Sequence, residues 1–223
     1  MTKPQRSKSD WSKILQQITH GHKGGNEVGY DFGYECFDLL KNLGALDNVK
    51  NLLDIGSGNG RMTIPYTETN IIYSGIDPIK ECVQFCKTHF EPRSPQIRFK
   101  FKDIRNERYN PKGEIHPEEF LFGPSGHYEL ITIWSVLTHV QYFEVAKHYL
   151  SESWRCLKPE GKLWVTLFQG DNYETCSHIT RFTEEQIQKL LQNWEVLYEE
   201  RTNSLRTQTR FLLQKVKIDN NGN

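Results

Sequence analysis

With 223 residues, 36% of them hydrophobic and 25% charged, the chain is long enough for one large soluble domain with a sizeable core. Lys plus Arg balance Asp plus Glu at 28 each, so the net charge is zero and no overall basic footprint marks a nucleic-acid partner. No run approaches the roughly 20 apolar residues of a membrane span, no apolar signal core follows the N-terminus, and the five scattered cysteines (Cys36, Cys82, Cys86, Cys156, Cys176) suit free thiols in a reducing compartment such as the cytoplasm.

Residues 1–10 are polar. Residues 11–19 predict a short helix with Trp11, Ile14, Leu15 and Ile18 on one side, and GHKGG follows as a break. Residues 33–43 predict a second helix that stops at Gly44. An alternation then begins: strand 51–55, helix 59–69 opening off a glycine turn, strand 71–76, helix 78–90 with Pro78 in its first turn, and strand 97–102. Residues 104–127 are a long polar segment with YNPKG and FGPSG turns. Strand 128–134, helix 142–157, a KPEGK turn and strand 162–168 come next, then the loop FQGDNYETCSHITRF. Helix 183–194 opens on Thr183 and Gln186, spaced as a capping box, and strands 195–200 and 210–218 can pair as a hairpin. The pattern predicts an α/β fold: a doubly wound, mostly parallel seven-stranded sheet with a C-terminal antiparallel hairpin. Residues 1–48 form an N-terminal helical cap segment, 49–218 the core domain and 219–223 a disordered tail. In such sheets ligands bind beyond the carboxyl ends of the strands.

The stretch NLLDIGSGNGR stands at the first of those ends. Gly56-Ser57-Gly58-Asn59-Gly60-Arg61 is spaced G-x-G-x-G, whereas a dinucleotide fingerprint needs G-x-G-x-x-G and here has Arg61 at its third glycine. No Lys-Ser/Thr follows, so it is not a triphosphate loop. Asp54, just before the turn, is awkward beside a diphosphate and natural beside a cation. Asp77 ends the second strand ahead of Pro78, and its two oxygens can take both hydroxyls of a ribose or cap the next helix. Asp103 ends the third strand; it can accept from an adenine amino group while Ile104 offers its N–H to a ring nitrogen, or it is a turn residue. Cys82 and Cys86 share a helix face, but without a second pair they read as small buried hydrophobes rather than metal ligands.

In that order these residues resemble the class I S-adenosylmethionine-dependent methyltransferases, over roughly residues 50–168. LLDIGSGNGR is similar to that family's first motif, IDP to its ribose-binding motif and KDI to its adenine-binding one. YELITIWSVLTHV and CLKPEGKLWVTLF are similar to its fourth- and fifth-strand motifs. The resemblance implies a Rossmann-like methyltransferase fold, the final two strands as its reversed hairpin, and S-adenosyl-L-methionine as cofactor. YSGIDPIKECVQFCK, the YNPKG insert and WSVLTHV…YLSESWRCLKPEGKL further resemble a bacterial subgroup associated with glycan and surface-polysaccharide biosynthesis.

Methyl transfer is an in-line displacement that needs a positioned nucleophile and, for a hydroxyl, a base. After the fourth strand there is no Asn/Asp-Pro-Pro-aromatic tetrad as in base-amine methylating relatives, no strand-end aspartate as in the metal-dependent catechol type and no paired-glutamate loop as in the arginine-methylating type. Within the resemblance these absences favour a metal-independent enzyme acting on a sugar or other small molecule, with O-methylation as the leading expectation. His139 is the first candidate base, or it only orients its loop; His178 is the rival. Trp134 packs on the cofactor or substrate, or in the core. Tyr30 and Phe32 belong to the segment that caps the cofactor in the family, and Arg61 meets the cofactor carboxylate or faces solvent. The alternatives are an NAD-dependent oxidoreductase, a non-catalytic cofactor-binding module and an RNA methyltransferase.

Overall fold

The computed structural model describes residues 7–15, 27–140, 142–170, 174–176, 179–201 and 208–216. The chain divides into two compact units, Met1–Asp103 and Ile104–Asn223.

In the first unit, helices α1 (Lys8–Leu15) and α2 (Glu27–Asn42) precede strands β1 (Asn51–Ile55), β2 (Ile72–Asp77) and β3 (Ile97–Phe101), with helix α3 (Lys80–His89) between β2 and β3. The strands are parallel in the order β3-β2-β1, with Leu52 opposite Tyr73 and Asp54 opposite Gly75. Leu52, Leu53 and Ile55 of β1 are buried as the continuous apolar run of a parallel strand requires, while edge strand β3 alternates, burying Ile97 and Phe99. Trp11, Ile14 and Leu15 are buried as their spacing predicted, and the Trp11 ring stacks on Phe90 at 4.7 Å. The rest of the predicted 11–19 helix lies outside the described residues. Gly44 has a φ of 64° and ends α2 as expected, and Ala45 N–H closes back on the Leu40 carbonyl at 2.8 Å.

Several predicted boundaries move, and α1 begins at Lys8, three residues before its expected start at residue 11. Helix α2 starts at Glu27, six residues early, although Gly29 and Gly33 disfavour a helix. A Cβ on Gly33 would lie 2.3 Å from the Arg61 carbonyl oxygen, so that glycine lets α2 lie against the segment after the turn. The predicted helix 59–69 is a 3-10 turn over Arg61–Glu68. Pro65 has no N–H to reach the Arg61 carbonyl, so the α-pattern cannot run through it; the turn begins with Thr63 N–H on the Gly60 carbonyl at 2.9 Å. Helix α3 begins at Lys80, because Asp77 takes the N–H of Ile79 at 2.8 Å and Pro78 stands before the helix.

The second unit holds β4 (Tyr128–Ile133), α4 (Phe143–Cys156), β5 (Leu157–Gln169), β6 (Glu174–Cys176), β7 (Ile179–Phe182), α5 (Glu184–Leu191), β8 (Trp194–Arg201) and β9 (Gln208–Lys215). Strands β4 and β7 run parallel to β5, β6 is antiparallel to β7, and β9 is antiparallel to both β5 and β8. The expected C-terminal hairpin is therefore present, and so is the Thr183–Gln186 capping box. Trp164, Leu163, Val165, Leu130 and Leu213 fill the core.

Two features depart from expectation. The KPEGK turn interrupts β5 rather than preceding it: Leu157 pairs with Tyr128 and Lys162 with Leu130, and Glu160 takes a φ of 63° in the excursion between. The loop expected at 168–182 contains β6 and β7, so nine strands stand among the described residues where seven were expected. The class is the predicted one, a mostly parallel α/β fold with antiparallel C-terminal strands.

Candidate functional site

The glycine turn is held from below by β2. The N–H groups of Gly56 and Ser57 both donate to the Ile76 carbonyl, at 2.7 and 3.1 Å. Gly56, Gly58 and Gly60 have φ values of 77°, 54° and 78°, a left-handed conformation that side chains with a Cβ adopt only at a cost. Gly58 and Gly60 do different work. A Cβ on Gly60 would sit 2.6 Å from the Phe90 ring and 3.0 Å from Cys86 Sγ, so Gly60 makes room for the protein itself. Nothing lies within 4 Å of where a Cβ on Gly58 would be, so Gly58 faces space that a ligand can enter.

Asp77 staples this turn to α3. Its Oδ2 accepts from Gly58 N–H at 2.7 Å and its Oδ1 from Ile79 N–H at 2.8 Å. The side chain is 4% exposed. Burial raises its pKa to about 6, against the opposing pull of the Ile79 and Gly58 N–H groups. Asp77 is not the cap of α3, whose N-cap is Ile79 with no side-chain cap bond, because Pro78 and Ile79 intervene before the helix starts at Lys80; each carboxylate oxygen keeps a second lone pair, so holding the turn is compatible with accepting ribose hydroxyls. The Ser57 hydroxyl is buried without a hydrogen-bond partner, a state that costs about 1–3 kcal/mol unless something fills it.

Asp54 is 2% exposed and accepts the Tyr73 hydroxyl on Oδ2. Arg61 is partly buried, with its guanidinium 4.9 Å from the Phe32 ring centre, so it does not simply face solvent; burial lowers its pKa. Asn59 Oδ1 accepts the Arg61 N–H at 3.4 Å. Asp54, the turn from Gly56 to Arg61, Asp77 and Pro78 thus gather in the first unit, with Phe32 beside Arg61. Tyr30 packs on Tyr34 at 4.9 Å, with Lys8 5.9 Å over its ring. Asp103 lies two residues past β3, at the carboxyl ends of the three parallel strands, and is partly buried. Cys82 and Cys86 are buried free thiols on α3; burial pushes Cys82 up to about 12 and Cys86 well above its ordinary value, as expected of packing residues.

The other candidates belong to the second unit. Ile104 is buried and bridges to Ile115. Trp134 is buried with its ring 5.1 Å from Trp164, which is core packing. His139 closes a 3-10 turn over Leu137–His139 and is partly exposed. Its carbonyl accepts Asn106 Nδ2 at 3.2 Å, and its ring meets the Tyr109 ring edge-on at 5.4 Å. His178 lies outside the described residues.

Sequence reasoning missed two residues. Tyr73 was read only as part of a strand, although strand alternation places it on the face of Asp54. Ser135, at the end of β4, has a φ of 52° that no composition rule foretells. It is held there by Thr166 Oγ1 on its N–H at 2.7 Å, Thr138 Oγ1 on its carbonyl at 2.8 Å and Gln208 Nε2 on its hydroxyl at 3.1 Å.

A family model described as a methyltransferase domain matches residues 29–212. The chain belongs to that methyltransferase family. It is an S-adenosylmethionine-dependent methyltransferase, and S-adenosylmethionine is its cofactor. The oxidoreductase reading falls with this. Similar solved structures share the methyltransferase fold. One is an S-adenosylmethionine-dependent methyltransferase from Leishmania major, at TM-score 0.67 and 15% identity, covering 92% of this chain and 81% of that one. Another is the N-methyltransferase NodS from Bradyrhizobium japonicum in complex with S-adenosylhomocysteine, at TM-score 0.63 and 14% identity, covering 95% and 100%. A third is the magnesium protoporphyrin IX methyltransferase from Synechocystis with bound S-adenosylmethionine, at TM-score 0.59 and 15% identity, covering 92% and 89%. The residues of the first unit fit such a cofactor: the space over Gly58, the unpartnered Ser57 hydroxyl, and carboxylates before and beside the turn suit a ribose and a cationic amino-acid end. Among the described residues, no helix is long and apolar enough to cross a membrane.

Proposed function

We propose that this methyltransferase O-methylates a sugar or another small metabolite without a metal, with His139 as general base. The observation that carries the base assignment is the fixing of His139 in the 3-10 turn after β4, by Asn106 on its carbonyl and Tyr109 on its ring. A hydroxyl acceptor must lose its proton as the bond to the methyl carbon forms, and an imidazole is suited to take it near neutral pH. S-adenosylmethionine supplies the electrophilic methyl group when bound. The chain's own part is to seat it: the open side of Gly58 and the Ser57 hydroxyl face it, Asp77 accepts its ribose hydroxyls, Asp54 faces its cationic end, and Asp103 with Ile104 serves its adenine. Helices α1 and α2 cap this seat, with Phe32 and Arg61 closing its amino-acid end. The likeness of YSGIDPIKECVQFCK and WSVLTHV to glycan-building enzymes supports a sugar acceptor, and the zero net charge argues against a nucleic acid. The free thiols of Cys36, Cys82, Cys86 and Cys156 support a cytoplasmic location.

The test is a methyl-transfer screen of S-adenosylmethionine against sugars, nucleotide sugars, small phenols and amines, read by mass spectrometry. An O-methylated sugar or metabolite is expected. Products methylated only on nitrogen, the outcome suggested by the N-methyltransferase NodS, would overturn O-transfer.

A further inference from the structure

Asp54 is a carboxylate almost wholly removed from water, and its place on β1 lies opposite Gly75, which carries no side chain to partner it. One donor to it comes from two residues earlier on β2. Tyr73 stands opposite Leu52, so alternation along the paired strands puts its side chain on the face of Asp54, and its hydroxyl donates to Oδ2. The phenol is 1% exposed and lies between two other rings, Tyr66 at 5.4 Å and Phe99 at 5.9 Å. A phenylalanine would fill the same space. A buried hydroxyl adds nothing to that packing and is costly unless it is bonded, so its presence is explained by the carboxylate it meets. Burial first, and the charge of Asp54 second, push the phenol well above its ordinary pKa, so it is a neutral donor at any working pH.

We propose that Tyr73 is a positioning residue for cofactor binding: its hydroxyl holds the Asp54 carboxylate ionised and oriented toward the cationic end of S-adenosylmethionine. This rests on the reading of Asp54 given above. Donation to a carboxylate favours its charged form and fixes its plane, and three packed rings keep the donor in place. Tyr73 acts through Asp54 and does not touch the cofactor.

The test is a double-mutant cycle read by titration calorimetry with S-adenosylmethionine, using Tyr73→Phe, Asp54→Asn and the double variant, with melting curves recorded for each. Tyr73→Phe is expected to weaken binding about tenfold, the scale of a hydrogen bond to a charged group. In the Asp54→Asn background the same change is expected to cost less than twofold, because the carboxylate it serves is gone. A purely structural role would lower the melting temperature and leave the two losses independent. Should Asp54→Asn fail to fold, Asp54→Ala, which also lacks the carboxylate, takes its place in the cycle. Unchanged affinity in Tyr73→Phe overturns the proposal, as does a tenfold loss that persists in the second background. Wild-type protein that does not bind S-adenosylmethionine overturns the seat itself, a failure distinguishable from either of these.

Discussion

Adding one methyl group at two positions of the glycine turn separates what holds the turn from what the turn holds. Gly58 and Gly60 share a left-handed φ, 54° and 78°, so alanine at either meets a similar backbone penalty of about 1–2 kcal/mol. Their surroundings differ. At Gly58 the added carbon meets nothing within 4 Å. At Gly60 it meets the Phe90 ring at 2.6 and 2.9 Å and Cys86 Sγ at 3.0 Å, an overpacking that adds about 1–3 kcal/mol. Gly60→Ala is therefore expected to lose about 2–5 kcal/mol and Gly58→Ala about 1–2. For a chain of this size that corresponds to falls in melting temperature of about 10 °C and about 4 °C. Cofactor affinity should rank the opposite way. Gly58→Ala fills the space left for S-adenosylmethionine and should weaken binding at least tenfold, while folded Gly60→Ala should bind within about threefold of wild type. Melting curves and calorimetry on both variants check this. A Gly58→Ala protein that binds as well as wild type would refute the assignment of the turn as the cofactor seat.

Three further outcomes are expected. Asp77 holds its proton more tightly folded than unfolded, with a pKa near 6 against an ordinary 3.8. Its share of stability is therefore greatest below about pH 4, falls by up to about 3 kcal/mol as pH rises to about 6, and is level above that. The ribose needs the ionised form, so S-adenosylmethionine affinity should fall as pH drops below about 6, by up to tenfold per pH unit. Calorimetry across that range checks it, and a flat profile contradicts the ribose role. Gly33→Ala tests two opposed effects: helix propensity alone would stabilise it by about 1 kcal/mol, but its Cβ would lie 2.3 Å from the Arg61 carbonyl oxygen. Overpacking against backbone should win, with a net loss of about 2 kcal/mol by urea denaturation. His139→Ala should leave cofactor affinity within about twofold and lower turnover on a hydroxyl acceptor at least 100-fold; equal loss of both would assign His139 to structure instead.

The readable parts of this molecule were those whose sequence signal is local and single-valued. The turn from Gly56 to Gly60 and the aspartate after the second strand each point to one backbone solution, and the structure has it. The helix expected at 59–69 misled because Met62, Ile64 and Tyr66 keep an apolar pattern while Pro65 removes the bond an α-helix needs there. Helix α2 was read six residues short for the converse reason: its glycines look like breakers, yet Gly33 serves a neighbour distant in sequence. Strands β6 and β7 are only three and four residues long, too brief to show alternation. Ser135 was illegible because its left-handed backbone is imposed by Thr166, Thr138 and Gln208, of which Gln208 is 73 positions away.

The ring of Phe90 fills the gap left by Gly60, and Trp11 of α1 stacks on that ring at 4.7 Å. Lys8, on the same helix, forms an ion pair with Asp31 of α2 at 2.7 Å, next to the Phe32 that lies under Arg61. A helix of eight residues is thus mechanically continuous with the glycine turn through one aromatic stack and one ion pair. Shortening the chain at its amino end by fifteen residues, or fusing a bulky partner there, is a modification of the turn proposed to seat the cofactor, although its nearest glycine lies more than forty positions downstream.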